Sequence, residues 1–269
     1  MKKYLRMIRN IVFFGLVYGI MQVIFMFLYG IMYSLVCNTK SSKAVEEAIT
    51  NNLYIVTAVG CAITLIIYML VLKNKKENLG QRCNFAKIKG SYIANSIILA
   101  ISTSLICIPM VYFLSSKFKS YGQVSESIVS AHGSLLSMIC IIVLIPIFEE
   151  ILFRGLIFNE LKKNMNIVIA VIVQALIFGL AHGNMLQGIY AFILGVILSI
   201  LYIYTKSIWS NIIGHIVFNL FGSLILPMIL SDKESYIAIC LGAGIIVTII
   251  LLINMLKNHK KTTTINQFS

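Results

Sequence analysis

Long apolar runs separated by short polar segments dominate the chain. The runs occupy residues 11–37, 53–73, 92–114, 134–158, 165–182, 187–204, 207–230 and 236–256. A helix needs about 20 apolar residues to cross the hydrocarbon core of a bilayer, and most of the runs reach that length. The pattern predicts an all-α, polytopic membrane protein with about eight transmembrane helices.

The polar connections between the runs are short. The longest, residues 38–52, 74–91 and 115–133, offer too few residues to bury a hydrophobic core of their own. We therefore expect residues 1–269 to form a single transmembrane domain. The first apolar run follows four basic residues but exceeds the roughly 7 to 15 apolar residues of a cleaved signal peptide, so we interpret it as a retained membrane anchor.

Composition and charge support this interpretation. The chain is 59% apolar and 12% charged, with a net charge of +13, and its mean hydropathy is +0.93. Such a charge can indicate nucleic-acid binding, but the distribution of the cations argues for a lipid bilayer as partner and against nucleic acid. If the N-terminus is cytoplasmic, 17 of the 22 basic residues lie on the cytoplasmic side, and the opposite side keeps Lys40, Lys43, Lys117, Lys119 and Lys233. The positive-inside rule then predicts a multi-pass protein of the cell membrane with both termini cytoplasmic.

The fourth apolar run contains three ionisable residues: Glu149, Glu150 and Arg154. Each charge at the centre of a membrane helix costs about 2.5 to 3.5 kcal/mol on insertion scales, so a compensating interaction is expected. Glu150 and Arg154 are four residues apart and share a helix face, where they can form a charge-assisted hydrogen bond. Glu149 is rotated from Glu150 by about 100° and is expected to face a cavity. Pro146 is expected to kink the helix one turn before the carboxylates.

A second glutamate pair serves as an internal control. Glu46 and Glu47 lie in a polar connection, which we interpret as a loop, and Asn51 stands where an arginine partner would fall. The pair alone therefore carries no functional signal. Burial in an apolar run and the arginine partner distinguish the pair in the fourth run.

Two of the four histidines, His182 and His215, lie in apolar runs. Asn219 follows His215 by four residues, and Phe178 precedes His182 by four, so each pair shares one helix face. A single intramembrane histidine or asparagine commonly serves as an interhelical hydrogen-bonding group. Together with the two glutamates and the arginine, however, these residues favour a functional site, because intramembrane ionisable groups mark function.

Depth along the predicted helices places the polar groups at similar levels. At about 1.5 Å per residue, Glu149, His182, His215 and Asn219 all fall near the middle of the membrane. We therefore expect them to line one intramembrane active-site cavity.

At these residues the sequence resembles the CAAX protease and bacteriocin-processing family of intramembrane endopeptidases, which includes type 2 CAAX prenyl endopeptidases and bacterial immunity-type proteins. The motifs that carry the resemblance are Glu-Glu-x-x-x-Arg at Glu149, Glu150 and Arg154, Phe-x-x-x-His at Phe178 and His182, and His-x-x-x-Asn at His215 and Asn219. They occur in the family's order within a catalytic core at about residues 134–230.

The resemblance implies an endopeptidase that hydrolyses a peptide bond of a membrane-associated protein or peptide. It implies that Glu149 is the general base that activates a water, assisted by His182. It also implies that His215 and Asn219 stabilise the oxyanion. Peptide hydrolysis requires these roles: a base, a water and donors directed at the developing negative charge.

The remaining motif residues belong to the same expected site. Glu150 and Arg154 complete the catalytic set through their pairing. Phe178 forms an aromatic wall on the face that carries His182, and we take it as a candidate for substrate binding.

The residues leave the cofactor open between none and a divalent metal such as zinc. Glu149, His182 and His215 are the candidate ligands, since a catalytic zinc commonly has three protein ligands and a water. No H-E-x-x-H segment is present, and the six cysteines show no C-x-x-C spacing, so neither a cysteine metal site nor a disulfide framework is expected.

Two other function classes remain as alternatives. Buried glutamate, arginine and histidine residues also build the proton relays of proton- or solute-coupled transporters, but no inverted repeat is visible in the sequence. A non-proteolytic membrane scaffold or immunity protein of the same fold is the other alternative.

Overall fold

A computed structural model describes the chain at residues 2–230 and 234–265, with side chains at residues 2–230 and 235–257. This part of the chain is helical and contains no strand. Its helices are α1 (Lys2–Val36), α2 (Ser42–Asn51), α3 (Leu53–Leu72), α4 (Leu79–Cys83), α5 (Gly90–Leu114), α6 (Tyr121–Ala131), α7 (Leu135–Asn164), α8 (Ile167–Leu180), α9 (Met185–Thr205), α10 (Ile208–Leu230) and α11 (Glu234–Ile265).

The helices confirm the predicted all-α polytopic architecture. Within the described residues, 7 helices are long and apolar enough to cross a membrane, namely α1, α3, α5, α7, α9, α10 and α11. The remaining apolar helix, α8, has 14 residues. Lys233, which the sequence places on the external side, lies outside the described residues.

The polar connections are more ordered than predicted, since they contain α2, α4 and α6. The expectation that Glu46 and Glu47 lie in a loop is wrong, because both belong to α2. Ser41 caps the N-terminus of this helix, since its side-chain oxygen accepts a hydrogen bond from the backbone N–H of Ala44 at 3.3 Å. Such a cap supplies a partner for an N–H group that the first helical turn leaves unsatisfied.

The helices group into two compact units that interleave along the sequence. Unit 1 comprises Met1–Cys83 and Gly122–Asn166, and unit 2 comprises Asn84–Tyr121 and Ile167–Ser269. Unit 1 thus contains α1 to α4 and α7, and unit 2 contains α5 and α8 to α11. The interpretation of residues 1–269 as one membrane domain stays a prediction.

In unit 1, α7 packs against α1, α3 and α4. The ring of Phe148 lies 5.2 Å from that of Tyr18 on α1 and 6.3 Å from that of Tyr68 on α3, measured between centroids. The side chain of Cys83 at the end of α4 touches Gly155, where any side chain would collide with it. These contacts fix α7 on both sides of its ionisable residues.

Helix α7 departs from regular α-helical geometry twice. A π-helical segment spans Cys140–Leu144, where the N–H of Ile145 bonds to the carbonyl of Cys140, five residues back. Pro146 follows directly, and it has no N–H and crowds the carbonyl four residues before it, so the wider π turn is the local response to this proline. The second π-helical segment spans Ile151–Phe158.

A side chain provides a hydrogen-bond donor for one backbone carbonyl of the second π-helical segment. The side-chain amide of Asn159 donates to the carbonyl of Gly155 at 2.9 Å and to the carbonyl of Arg82 at 2.6 Å. This residue therefore joins α7 to the end of α4 while satisfying a carbonyl within the π segment. In an apolar environment such a partner is required, because no water is available to replace it.

In unit 2, α8 and α9 form a closely packed antiparallel hairpin. A side chain on Gly179 would lie 2.7 Å from the carbonyl oxygen of Gly188, and one on Gly195 would lie 3.0 Å from the Cα and Cβ atoms of Ala175. Small residues permit this backbone approach, as is typical of membrane helix pairs.

The rest of unit 2 forms around α5, which packs against α10 and α11. The hydroxyl of Thr248 on α11 donates to that of Ser102 on α5 at 2.9 Å, and both residues are buried. A side chain on Gly244 would lie 2.7 Å from the carbonyl oxygen of Ser102. A close backbone approach at Gly244 and a hydrogen bond between two buried hydroxyls therefore link this helix pair.

The α8–α9 hairpin generates a prediction about topology. At 1.5 Å per residue α8 is about 21 Å long, which is shorter than the other membrane helices. Because α9 runs antiparallel to α8, the two helices together return the chain to the side of the membrane on which α8 begins. In a cysteine-free background, we expect a membrane-impermeant maleimide to label Lys43→Cys and Lys117→Cys in intact cells. Lys87→Cys and Lys257→Cys should react only after permeabilisation. External labelling of Lys257→Cys would contradict the predicted sidedness.

The glycine contact generates a prediction about stability. Alanine favours a helix over glycine by about 1 kcal/mol, but at Gly179 its methyl group would collide with backbone. We expect Gly179→Ala to lower the free energy of unfolding by about 1 to 3 kcal/mol, seen as a lower unfolding temperature in detergent. Gly19→Ala is the control, since nothing lies within 4 Å of a side chain there. Equal behaviour of the two variants would refute the close packing.

Candidate active site

The two glutamates of α7 lie in the α-helical stretch Ile145–Glu150 between the two π-helical segments. Glu150 has no exposed surface, whereas Glu149 is partly exposed. Their different surroundings follow from the rotation of about 100° between consecutive helical residues. Glu149 is therefore the carboxylate of the pair that a molecule from outside the protein can approach.

Glu150 forms the buried ion pair that the sequence predicts. The Nη1 atom of Arg154 donates to Oε1 of Glu150 at 2.8 Å, and both side chains are fully buried. Arg154 lies within the second π-helical segment. A paired and hydrogen-bonded charge avoids most of the free-energy cost that a lone buried charge would carry. Loss of either partner would restore that cost.

His182 occupies the turn that follows α8. Its Nδ1 atom lies 2.8 Å from the carbonyl oxygen of Phe178. A carbonyl oxygen only accepts hydrogen bonds, so Nδ1 carries a hydrogen, and in the neutral form of the ring Nε2 is then the acceptor. The next residue, Gly183, has a φ of +68°, a left-handed conformation that glycine adopts without strain. Gly183 thus allows the chain to turn directly after the imidazole.

Phe178 lies between two imidazoles. Its ring centroid is 4.9 Å from that of His182 and 5.8 Å from that of His215, and both contacts are edge to face. Phe178 itself is fully buried. The contact that the structure establishes for this ring is with the two histidines, and its predicted contact with substrate stays a prediction.

His215 and Asn219 lie one turn apart on α10, as the sequence predicts. His215 is buried, with 2% of its surface exposed, while Asn219 is partly exposed. A π-helical segment, Phe221–Ile225, begins two residues after Asn219. Phe178, His182, His215 and Asn219 all belong to unit 2, whereas Glu149, Glu150 and Arg154 belong to unit 1.

Two further polar residues extend the motifs, and the sequence interpretation missed both. Gln174 precedes Phe178 by four residues, and its Oε1 atom accepts a hydrogen bond from the hydroxyl of Ser199 at 2.6 Å. Asn211 precedes His215 by four residues, and its Nδ2 atom donates to the carbonyl of Leu198 at 2.7 Å.

Gln174 and Asn211 are both fully buried. Their partners on α9, Ser199 and Leu198, are consecutive residues. This helix therefore holds the two motif-bearing helices of unit 2 in register. The signal in the sequence is the four-residue spacing, which places a third polar or aromatic group on each motif face.

An apolar cavity of about 500 Å³ lies along the α8–α9 hairpin. Its lining includes Leu176, Gly179, Leu180, Met185 and Phe192. The cavity reaches the turn that carries His182, since Gly183 and Asn184 also line it. The hairpin thus offers apolar surface beside the imidazole.

Glu149, His182 and His215 are the candidate metal ligands. In neither unit do the described residues gather three histidine, cysteine, aspartate or glutamate side chains as a metal ion would require.

The comparison with protein families matches residues 131–221 to the family described as type II CAAX prenyl endopeptidase Rce1-like. This segment contains every residue of the three motifs. A second comparison finds "Putative membrane peptidase YdiL" of Bacillus subtilis (strain 168), which is 36% identical over 76 residues, 28% of this chain. The match spans 31% of that protein's length. Neither match names a transporter or an immunity protein.

No solved structure gives a significant match to the chain. The resemblance therefore rests on residues 131–221, the segment that matches the family and contains the three motifs. Residues 131–221 of this chain match the Rce1-like family, which confirms the predicted resemblance to CAAX-protease-type membrane endopeptidases.

Proposed function

We propose that the chain is an intramembrane endopeptidase that hydrolyses a peptide bond of a membrane-associated protein or peptide with a water activated by Glu149 and His182. The observation that carries the proposal is the orientation of His182, whose Nδ1 atom is held by the Phe178 carbonyl at 2.8 Å. This contact leaves Nε2 to accept a hydrogen from a water. The Rce1-like match of residues 131–221 supports the same reaction class.

In the proposed reaction the water oxygen attacks the carbonyl carbon of the scissile peptide bond. The Glu149 carboxylate accepts the proton that the water loses, and His182 orients the water through Nε2. A tetrahedral intermediate forms, the carbon–nitrogen bond breaks, and Glu149 returns its proton to the leaving amine. General acid–base catalysis of this kind contributes about two to four orders of magnitude in rate.

His215 and Asn219 are proposed to stabilise the negative charge on the carbonyl oxygen. Asn219 is partly exposed and its side-chain amide can donate hydrogen bonds, and the buried ring of His215 is held against Phe178. Donors fixed in advance are effective because they need no reorganisation as the charge develops. Phe178 is then a positioning residue, since one ring supports both imidazoles.

The proposed substrate is apolar around the cleaved bond. The cavity beside the α8–α9 turn is lined mostly by apolar groups, which suit the side chains of a membrane-embedded segment. We further propose that the protein resides in the cell membrane with both termini cytoplasmic, as the basic residues indicate.

The first prediction from this proposal concerns the base. Glu149→Gln keeps the shape of the side chain but removes the carboxylate, so hydrolysis of a quenched peptide by purified protein should fall by about two to four orders of magnitude. The protein should still insert and accumulate. Glu47→Gln is the matched control, because Glu47 belongs to the exposed glutamate pair of α2, and it should retain full activity. Near wild-type turnover by Glu149→Gln would reject the mechanism.

Further variants test whether the residues act together. His182→Ala should lose a similar fraction of activity, and the double variant with Glu149→Gln should be little worse than either single variant, because groups that serve one step are not additive. Asn219→Ala should cost about two to three orders of magnitude, as for one lost oxyanion donor. Loss of turnover on chelation, with recovery on adding zinc, would replace the glutamate-activated water with a metal-dependent mechanism.

A separate prediction concerns the buried ion pair. Arg154→Ala leaves the Glu150 carboxylate buried without its cation, which costs about 3 to 5 kcal/mol. Both the folded yield in membranes and the peptidase activity should therefore fall. Lys163→Ala is the matched control, since it removes a cation 2.7 Å from Glu77 in an exposed pair, and such pairs contribute at most about 1 kcal/mol. Normal yield and activity of Arg154→Ala would rule out this role for the pair.

A further inference from the structure

Unit 1 contains a second cavity, distinct from the residues of the three motifs. It has a volume of about 520 Å³ and lies between the first turns of α1, the end of α3 with the residues that follow it, and the end of α4. This volume falls within the range of small-molecule binding sites, about 300 to 1,000 Å³. The sequence interpretation assigns this end of unit 1 to the cytoplasmic face.

One rim of the cavity is strongly basic. The side chains of Arg6, Arg9, Lys75, Lys76 and Arg82 all line it. Arg6 and Arg9 lie near the start of α1, and Lys75 and Lys76 directly follow α3. No aspartate or glutamate lines the cavity, so the local charge favours an anionic ligand.

The acidic residues nearby compensate the charge of this rim only in part. Glu160 binds Arg82 at 3.0 Å, and Glu77 binds Lys163 at 2.7 Å. The hydrogen bond from Lys163 lowers the pKa of Glu77 from its ordinary value, so Glu77 stays ionised and continues to occupy that lysine. The ion pairs among the described side chains therefore include Arg82 but none of the other four rim cations.

The opposite wall of the cavity is apolar. Phe13, Phe14, Val71 and Leu72 line it. On α1 the two phenylalanines lie one to two helical turns beyond Arg6 and Arg9, and on α3 the two apolar residues end the helix just before Lys75 and Lys76. At about 1.5 Å per residue, the basic and apolar residues of α1 are separated by roughly 6 to 12 Å along the helix axis. The cavity therefore offers charge at the membrane surface and hydrocarbon contacts below it.

We propose that this cavity binds the phosphate of an anionic phospholipid, with the headgroup among the basic side chains and the start of an acyl chain against the apolar wall. Phosphate is the ligand chemistry that clustered arginine and lysine recognise. A soluble phosphate would use only the basic rim and leave the apolar wall exposed. Basic sites between membrane helices on the cytoplasmic side recognise anionic headgroups by the same chemistry.

The test uses the full-length protein in a neutral detergent. Native mass spectrometry measures the apparent affinities of dioleoyl phosphatidylglycerol, dioleoyl phosphatidylcholine and inorganic phosphate. We expect phosphatidylglycerol to bind at least tenfold more tightly than phosphatidylcholine, and inorganic phosphate to compete only at far higher concentration. Equal retention of the two lipids would overturn the proposal, and competition by inorganic phosphate at concentrations equal to those of the lipid would overturn the lipid as its source.

A matched pair of variants ties the binding to this cavity. Lys75→Gln with Lys76→Gln removes two rim charges, and at about 1 kcal/mol per basic residue the affinity for phosphatidylglycerol should fall about thirtyfold. Lys87→Gln with Lys89→Gln removes the same charge from exposed residues on the same predicted side and should change the affinity less than threefold. Equal effects of the two pairs would show a general charge effect and reject the site. Both variants keep Arg82 and its partner Glu160, so the fold of α4 against α7 is preserved.

Discussion

The free-energy cost of placing charge in hydrocarbon governs the structure of α7. Glu150 and Arg154 are both fully buried, and their bond of 2.8 Å makes that burial tolerable. The pair in turn fixes which side of the helix is available to Glu149. The aromatic contacts of Phe148 and the close approach of Cys83 to Gly155 hold the helix in that orientation. The partly exposed carboxylate is thus a consequence of how its neighbour is satisfied.

In unit 2, hydrogen bonds between helices hold the polar side chains in place. Here α9 serves as the scaffold, because Leu198 and Ser199 bind Asn211 and Gln174 one turn before each histidine motif. The ring of Phe178 then supports both imidazoles from a fully buried position. Each hydrogen bond is modest in free energy within a membrane, but together they limit the rotation of α8 and α10.

The sequence predicted the helices well because hydropathy and length are local properties. The pairing of Glu150 with Arg154 was predictable from their spacing of four residues, and so was the shared face of His215 and Asn219. The helix that contains Glu46 and Glu47 was missed because a polar, capped helix has no hydropathy signal. The anchoring roles of Gln174 and Asn211 depend on α9, and no pattern in the sequence indicates which residues of a neighbouring helix they meet.

The π-helical segments have a further consequence for how α7 tolerates changes in chain length. A π turn contains about one residue more than an α turn, so it has the local geometry of a single-residue insertion. The residues beyond it are rotated by about 100° relative to an uninterrupted α-helix. All 8 residues of the segment Ile151–Phe158 are buried. A helix that packs through one face only would leave some of them exposed. A one-residue deletion within this segment would therefore restore regular winding and leave the following side chains, including Asn159, directed at their partners on α4. Regular winding of the full-length segment would instead turn these side chains away.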